Sequence, residues 1–143
     1  MRKLVGLLVG SVLLVAGMAM AQAPAFQPIG TMSQLMVNII YPASDAIFYV
    51  DRKPPSNDAE WNALSNQALM VAESGNLLLM PGRAIDKGNW VKDTKLMIDA
   101  GAAAFKASRA KNIEGVRAVN DALYESCVTC HMHYRADYPK AKR

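Results

Sequence analysis

The sequence predicts an all-α fold, an up-down-up-down antiparallel four-helix bundle in one domain (22–143). Apolar residues recur with the helical period along four stretches, and few stretches alternate with period two. Turn signals separate the four stretches by connections short enough to make neighbouring helices antiparallel. A chain of this length can bury a hydrophobic core of its own.

The first predicted helix runs from about Thr31 to Asp51. Thr31 and Gln34 fit a capping box, in which each side chain satisfies a backbone N–H at the helix start. Pro42 lies inside the apolar stripe of this helix and removes one backbone hydrogen bond. We therefore expect a kink at Pro42 or two abutting helices.

The second and third helices are also marked by local signals. Asn57 and Glu60 can cap the start of the second helix, and the Pro-Gly-Arg sequence at 81–83 stops it. The third helix runs from about Asn89 to Ala110. Each of these helices is about 20 residues long, which corresponds to roughly 30 Å.

A glycine in the third helix and the bounds of the fourth helix complete the predicted bundle. Gly101 falls on the inner side of the third helix, where a missing Cβ lets a neighbouring backbone come close. The fourth helix begins near Ile113 and stops before Pro139. We expect it to be continuous between those two points.

The first 21 residues have the anatomy of a secretory signal peptide. Arg2 and Lys3 form a short positive region, and Leu4–Ala16 form an apolar run that is short for a membrane span. Ala19 and Ala21 supply a cleavage site. We expect export, cleavage after residue 21 and no stable membrane association afterwards; an uncleaved N-terminal anchor is the alternative.

The charge pattern gives no support to nucleic-acid binding. Without Arg2 and Lys3, 14 of the 16 basic residues remain against 12 acidic ones. Much of the excess lies in the tail at 135–143, and no basic face is interleaved with aromatic residues.

The sequence Cys127-Val-Thr-Cys130-His131 raises three alternatives. A thiol redox pair usually sits at a helix N-terminus, whereas this pair lies late in a predicted helix, where the dipole disfavours a thiolate. A zinc site would need Cys127, Cys130, His131 and His133, and four ligands within seven residues can hardly surround one ion. The third alternative is covalent haem attachment, for which Cys-x-x-Cys-His is the signature.

The spacing of the two cysteines and the histidine suits covalent attachment of a haem. Cys127 and Cys130 lie at i and i+3, so they share one helix face and can form thioethers to the two vinyl groups of one porphyrin. His131 can then serve as the proximal iron ligand. Attachment also consumes both thiols, which an oxidising compartment would otherwise oxidise.

This segment resembles the haem-attachment segment of class II cytochromes c, whose pattern is Cys-x-x-Cys-His-x-x-Tyr/Phe-Arg. The matching residues are Cys127, Cys130, His131, Tyr134 and Arg135. The resemblance implies a periplasmic protein with one haem c near the C-terminal end of the last helix, and with Tyr134 and Arg135 beside it. It also implies unidentified redox partner proteins and, often, a homodimer.

The sixth position of the iron has three candidates. In an up-down bundle, the end of helix four lies level with the start of helix one, the end of helix two and the start of helix three, which brings Met32, Met36 and Met80 near the motif. Met36 is the first candidate, Met32 the second and Met80 the third. The resemblance implies a first-helix methionine in low-spin members and an apolar, non-ligating side chain in pentacoordinate ones. Methionine at helical spacing also serves simply to fill a core.

Two further residues near the motif have weaker claims. His133 is expected to be solvent-exposed, with a second ligand or a proton site as the alternatives. Arg83 can pair with a haem propionate or remain a solvated loop residue.

The leading functional prediction is an electron carrier rather than an enzyme. The alternative is a pentacoordinate haem protein that binds nitric oxide or carbon monoxide. An enzyme is the weakest of the three, because the sequence places no second histidine or carboxylate beside the iron and shows no nucleophile–base pair elsewhere.

Overall fold

The computed structural model describes residues 26–135, and all of the secondary structure in that range is helical. The predicted signal peptide (1–21) and most of the basic tail lie outside the described residues. The last helix ends at Tyr134, before Pro139, as predicted. Four helical regions pack against one another, which confirms the all-α class. Between residues 26 and 135, no helix is both long enough and apolar enough to span a membrane.

The first helical region contains α1 (Met32–Leu35), a π-helical segment (Met36–Ile40), α2 (Tyr41–Phe48) and a 3-10 turn (Val50–Arg52). The predicted capping box is confirmed at its start. The Thr31 hydroxyl accepts from the Gln34 N–H at 3.2 Å, and the Gln34 amide oxygen accepts from the Thr31 N–H at 2.9 Å.

The disturbance expected at Pro42 takes the form of the π-helical segment that precedes it. Here the Tyr41 N–H bonds to the carbonyl of Met36, five residues back. Pro42 has no N–H to donate, and in a regular helix its ring presses on the carbonyl four residues back. A π turn re-spaces these carbonyls, and such turns are frequent at functional sites. Met36 is the first residue of this turn.

The second and third long helices are α3 (Asp58–Leu78) and α4 (Asn89–Arg109), close to their predicted bounds. Asn57 caps α3, since its side chain accepts from the Glu60 N–H at 3.0 Å. The Glu60 carboxylate reaches one residue further back than a capping box requires and accepts from the Ser56 N–H at 2.8 Å.

The predicted close approach at Gly101 is confirmed. A Cβ on Gly101 would lie 2.6 Å from the backbone nitrogen of Ala72, so α3 and α4 are in contact through backbone at this point. The same two helices are joined at the other end of their interface, where the Trp90 indole N–H donates to the Leu78 carbonyl at 2.9 Å.

The fourth region is broken, which the sequence analysis did not predict. It consists of α5 (Ile113–Arg117), a turn at 118–119 and α6 (Asn120–Tyr134). The Val119 N–H bonds to the Val116 carbonyl at 3.3 Å, three residues back, so the α-helical ladder of α5 ends in a tighter turn.

The core receives a fully buried apolar side chain from every helical region: Ile47, Val71, Ala104, Val116 and Leu123. Burying one of the larger aliphatic side chains contributes about 1.5–3 kcal/mol relative to leaving it exposed. The two residues from the last region lie on opposite sides of its break, so α5 and α6 are both anchored independently to the same core.

Candidate haem-attachment site

The two cysteines lie in the second half of α6, and both are partly buried free thiols. Their i and i+3 positions place them on one helix face. Cys130 also packs against the hydrophobic core, as does Tyr134 one helical turn later. The side of α6 that carries the motif therefore faces the interior of the protein.

A cavity of about 370 Å³ lies against this side of α6. Cys127, Cys130 and His131 line it together with Met36 from the π-helical segment. Its other walls come from the π-helical segment, α2, α3 and α4, and most of its lining is apolar, including Ile40, Phe48, Leu78 and Met97. This volume is within the range of about 300–1,000 Å³ typical of small-molecule sites.

A second cavity, of about 500 Å³, adjoins the first. Met36, Cys130, His131 and Arg135 line both cavities. Met32 lines only the second. The predicted proximal ligand and the first two candidates for the distal ligand are thus brought to one region.

Met80, the third candidate, lies elsewhere. It lines a separate cavity with Arg83, in which neither cysteine nor His131 takes part. The Arg83 guanidinium donates to the Gly30 carbonyl at 3.2 Å and lies 3.4 Å from the Met80 sulfur. Arg83 therefore ties the loop after α3 to the chain before α1, and the structure does not place it beside the motif.

The environment of the thiols favours their neutral form. Burial raises the pKa of Cys127. Burial also raises the pKa of Cys130 to about 11, and the negative charge of Asp93 adds to this effect. A redox-active dithiol needs a thiol pKa lowered toward neutrality, and these shifts are in the opposite direction.

His131 is kept in its neutral form as well. Burial lowers the pKa of its imidazole, and the positive charge of Arg135 lowers it further. The neutral ring carries the lone pair that a metal ion requires. The helix thus presents a metal-binding form of histidine directly after two protonated thiols.

Tyr134 anchors the end of α6 to the start of α4. Its hydroxyl donates to the carboxylate of Asp86, which also accepts from the backbone N–H groups of Gly88 at 2.7 Å and Trp90 at 3.2 Å. The pKa of Tyr134 is raised to about 12, mainly by burial and secondly by the hydrogen bond to Asp86. The Tyr134 and Trp90 rings meet edge to face at 5.0 Å. Sequence analysis missed Asp86, although an acidic residue three positions before a predicted helix is a recognisable signal.

His133 is exposed, as predicted, but one ring nitrogen has a buried partner. Its Nδ1 lies 2.7 Å from the carboxylate of Asp93, which is only 3% exposed. Sequence analysis missed Asp93. It lies three residues after Trp90 and four before Met97, so its position on the apolar stripe of α4 was the available signal.

Two buried hydroxyl groups test whether the first cavity fits a bound group. The side-chain oxygens of Ser44 and Thr94 are buried and have no hydrogen-bond partner among residues 26–135. Both residues line the first cavity. Buried polar groups are almost always satisfied, so each of these two hydroxyls requires a partner other than the described residues. The thiol pair, the neutral imidazole and the apolar lining fit a haem in the same place.

No protein-family model, no curated protein and no solved structure matches this chain. Within the part of the chain that the structure describes, no three His, Cys, Asp or Glu side chains come together as a metal-ion site would require. The case for a function therefore depends on the motif and on the cavity that it lines.

Proposed function

We propose that this chain is a periplasmic c-type cytochrome with one covalently attached haem, similar to class II cytochromes c, that carries single electrons between redox partners. The observation that carries the proposal is the shared cavity, which Cys127, Cys130, His131 and Met36 line together. A haem supplies an iron that changes reversibly between two oxidation states. The residues of this chain would retain the haem, bind its iron and form its surroundings.

The cysteines provide covalent retention. Each thiol would add across one vinyl group of the haem, with sulfur bonded to one carbon and the thiol hydrogen on the other, and this addition needs no oxidant. The protonated state of both thiols supplies that hydrogen. Covalent attachment would prevent loss of the haem to solvent.

His131 and Met36, with Met32 as second choice, are the residues that would bind the iron. The neutral His131 ring would offer its nitrogen lone pair and the Met36 side chain its thioether sulfur, and both residues line the same two cavities. Arg135 lines both cavities and supplies a positive charge for a haem carboxylate. The apolar lining excludes water, which helps to set the potential.

The proposal includes the up-down-up-down antiparallel arrangement and a haem near the C-terminal end of the last helix. Its support is the pairing of consecutive regions, since α3 packs on α2 and on α4, and α4 packs on α5 and α6. The connections are short: residues 79–88 join α3 to α4, and 110–112 join α4 to α5. A homodimer and a protein redox partner belong to the same proposal.

Binding of nitric oxide or carbon monoxide is the second candidate function. The second cavity favours it, because about 500 Å³ of space borders both Met36 and His131. If Met36 fills space without binding the iron, this cavity leaves room for a diatomic ligand at the open position.

The absorption spectrum distinguishes the two candidates. The protein is produced in a host competent in haem attachment, and spectra of the oxidised and reduced forms are recorded with and without carbon monoxide. A sharp reduced α-band, a weak sulfur-to-iron band in the oxidised form and little response to carbon monoxide support the electron carrier. A broad reduced band that shifts strongly with carbon monoxide supports gas binding instead. Absence of any haem spectrum contradicts both.

A further inference from the structure

Asp93 is a buried carboxylate to which the proposed function has so far given no role. It lies on the inner side of α4 and is only 3% exposed. Its Oδ2 lies 2.7 Å from His133 Nδ1, and because a carboxylate only accepts, Nδ1 is the donor. A charged group is costly to bury even with such a bond, so its presence requires a physical reason.

The charge of Asp93 acts inside the cavity at the motif. Asp93 lines that cavity with Cys127, Cys130 and His131. Its carboxylate also contributes, after burial, to the raised pKa of Cys130. Its partner His133 is on the outer side, with 40% of the side chain exposed. The negative charge is therefore inside the protein, and the hydrogen bond that holds it comes from near the surface.

A fixed charge at this place affects the two oxidation states of a haem iron unequally. The oxidised iron carries one more positive charge than the reduced iron. A nearby carboxylate in a medium of low dielectric constant therefore stabilises the oxidised form more, and it makes reduction harder.

We propose that Asp93 lowers the reduction potential of the haem held at Cys127, Cys130 and His131, and that His133 positions its carboxylate. This inference rests on the proposed function, because it needs an attached haem. Asp93 acts through its charge and does not touch the iron. If its role were only to tie α4 to α6, its replacement would change stability and leave the potential unchanged.

The test compares the midpoint potentials of the holo-protein and of three variants at pH 7 and fixed ionic strength. Asp93→Asn removes the charge and keeps a group that can bond to His133. Asp93→Leu removes the charge and the hydrogen bond while filling the space. Asp99→Asn is the matched control, since Asp99 lies on the same helix but is exposed and paired with Lys95 at 2.8 Å.

We expect both Asp93 variants to be reduced more readily. The equilibrium constant for reduction by a one-electron reference couple should rise about threefold to tenfold, where tenfold corresponds to 59 mV. Asp99→Asn should change that constant by less than about twofold, because exposed charges are screened by salt.

Unchanged or lowered potentials in the Asp93 variants, or a rise equalled by Asp99→Asn, would overturn the inference. So would failure of both Asp93 variants to fold, by circular dichroism, when Asp99→Asn folds normally, because Asp93 would then be structural. If the unsubstituted chain attaches no haem, it is the proposed function that fails. If it attaches haem and the Asp93 variants have unchanged potentials, only the role of Asp93 fails.

Discussion

The two halves of α4 pack in opposite ways although they belong to one helix. In the C-terminal half, Gly101 and Ala104 face inward, and the backbone of α3 comes into direct contact at Ala72. In the N-terminal half, Asp93, Thr94 and Met97 face inward and line a cavity. Small inward residues let the backbones of two helices touch, whereas the larger and polar residues at the same helical spacing border a cavity. Cys127, Cys130 and His131 of α6 line that cavity.

The largest expected effect concerns the cavity half. Met36→Ala should convert a six-coordinate low-spin haem spectrum completely to a high-spin one that responds to carbon monoxide, because the thioether is lost. Absorption spectroscopy of the oxidised and reduced holo-protein measures this change.

Met80→Ala is the matched control, because Met80 lies in the separate cavity beside Arg83. It should leave the spectrum unchanged. An unchanged spectrum in Met36→Ala would exclude Met36 as ligand and direct attention to Met32.

The next effect concerns the thiols before haem is attached. With a pKa of about 11, compared with an ordinary 9.0, Cys130 should react with iodoacetamide about a hundredfold more slowly at pH 8 in a folded Cys127→Ser apo-protein than after unfolding. Because the unfolded chain loses its thiol proton at lower pH than the folded chain, this group also makes folding less favourable as pH rises from about 9 to 11.

The rate of alkylation, followed by mass spectrometry from pH 7 to 11, measures the shift. It should increase about tenfold per pH unit over most of that range. A plateau below pH 9 would contradict the buried environment described for Cys130.

In the close-packed half, Gly101→Ala should lower the free energy of unfolding by about 1–3 kcal/mol. The added methyl group would lie 2.6 Å from a backbone nitrogen, and one of the two helices must move. Urea denaturation of the apo-protein, or of the holo-protein if the apo-protein does not fold, provides the measurement.

Gly30→Ala is the control for this change, because the nearest atom to its added Cβ is 3.7 Å away. It should change stability by less than about 0.5 kcal/mol. Equal effects at the two glycines would contradict the close approach of α3 and α4.

The smallest effects compare one hydroxyl from each half of α4. The Thr94 hydroxyl is buried without a partner among residues 26–135, whereas the Ser108 hydroxyl donates to the Phe105 carbonyl at 3.0 Å. Thr94→Val should therefore stabilise the apo-protein by about 1 kcal/mol, and Ser108→Ala should destabilise it by about 0.5–1.5 kcal/mol. Both values come from the same urea titrations. A loss of stability in Thr94→Val would mean that its hydroxyl already has a partner in the apo-protein.

The features that could be predicted from sequence are those encoded by neighbouring residues. The cap at Asn57 and the capping box at Thr31 each depend on residues within one helical turn, and both were predicted. The break after Arg117 was missed, because the sequence there carries neither proline nor a glycine at the turn itself. At the break the Val119 N–H bonds to the Val116 carbonyl, three residues back, and residue types do not signal such a turn.

In the candidate site, too, residues that are neighbours in the sequence were predicted and residues that are distant in the sequence were not. Cys127, Cys130 and His131 form a local motif, so the sequence identified them as a unit. The pair of Asp93 and His133 is separated by 40 residues, and only the packing of α4 on α6 brings it together. Met36 was ranked ahead of Met80 from the sequence, and the fold agrees with that order, because Met36 lines the cavity at the motif and Met80 lines a separate one.

The intact mass of the protein, produced in a host competent in haem attachment, shows whether the chain carries a covalent haem. We expect a mass increased by one haem that survives denaturation and is absent from a Cys127→Ala/Cys130→Ala variant. A mass equal to that of the polypeptide alone, or a haem that remains covalently bound in the double variant, would contradict it.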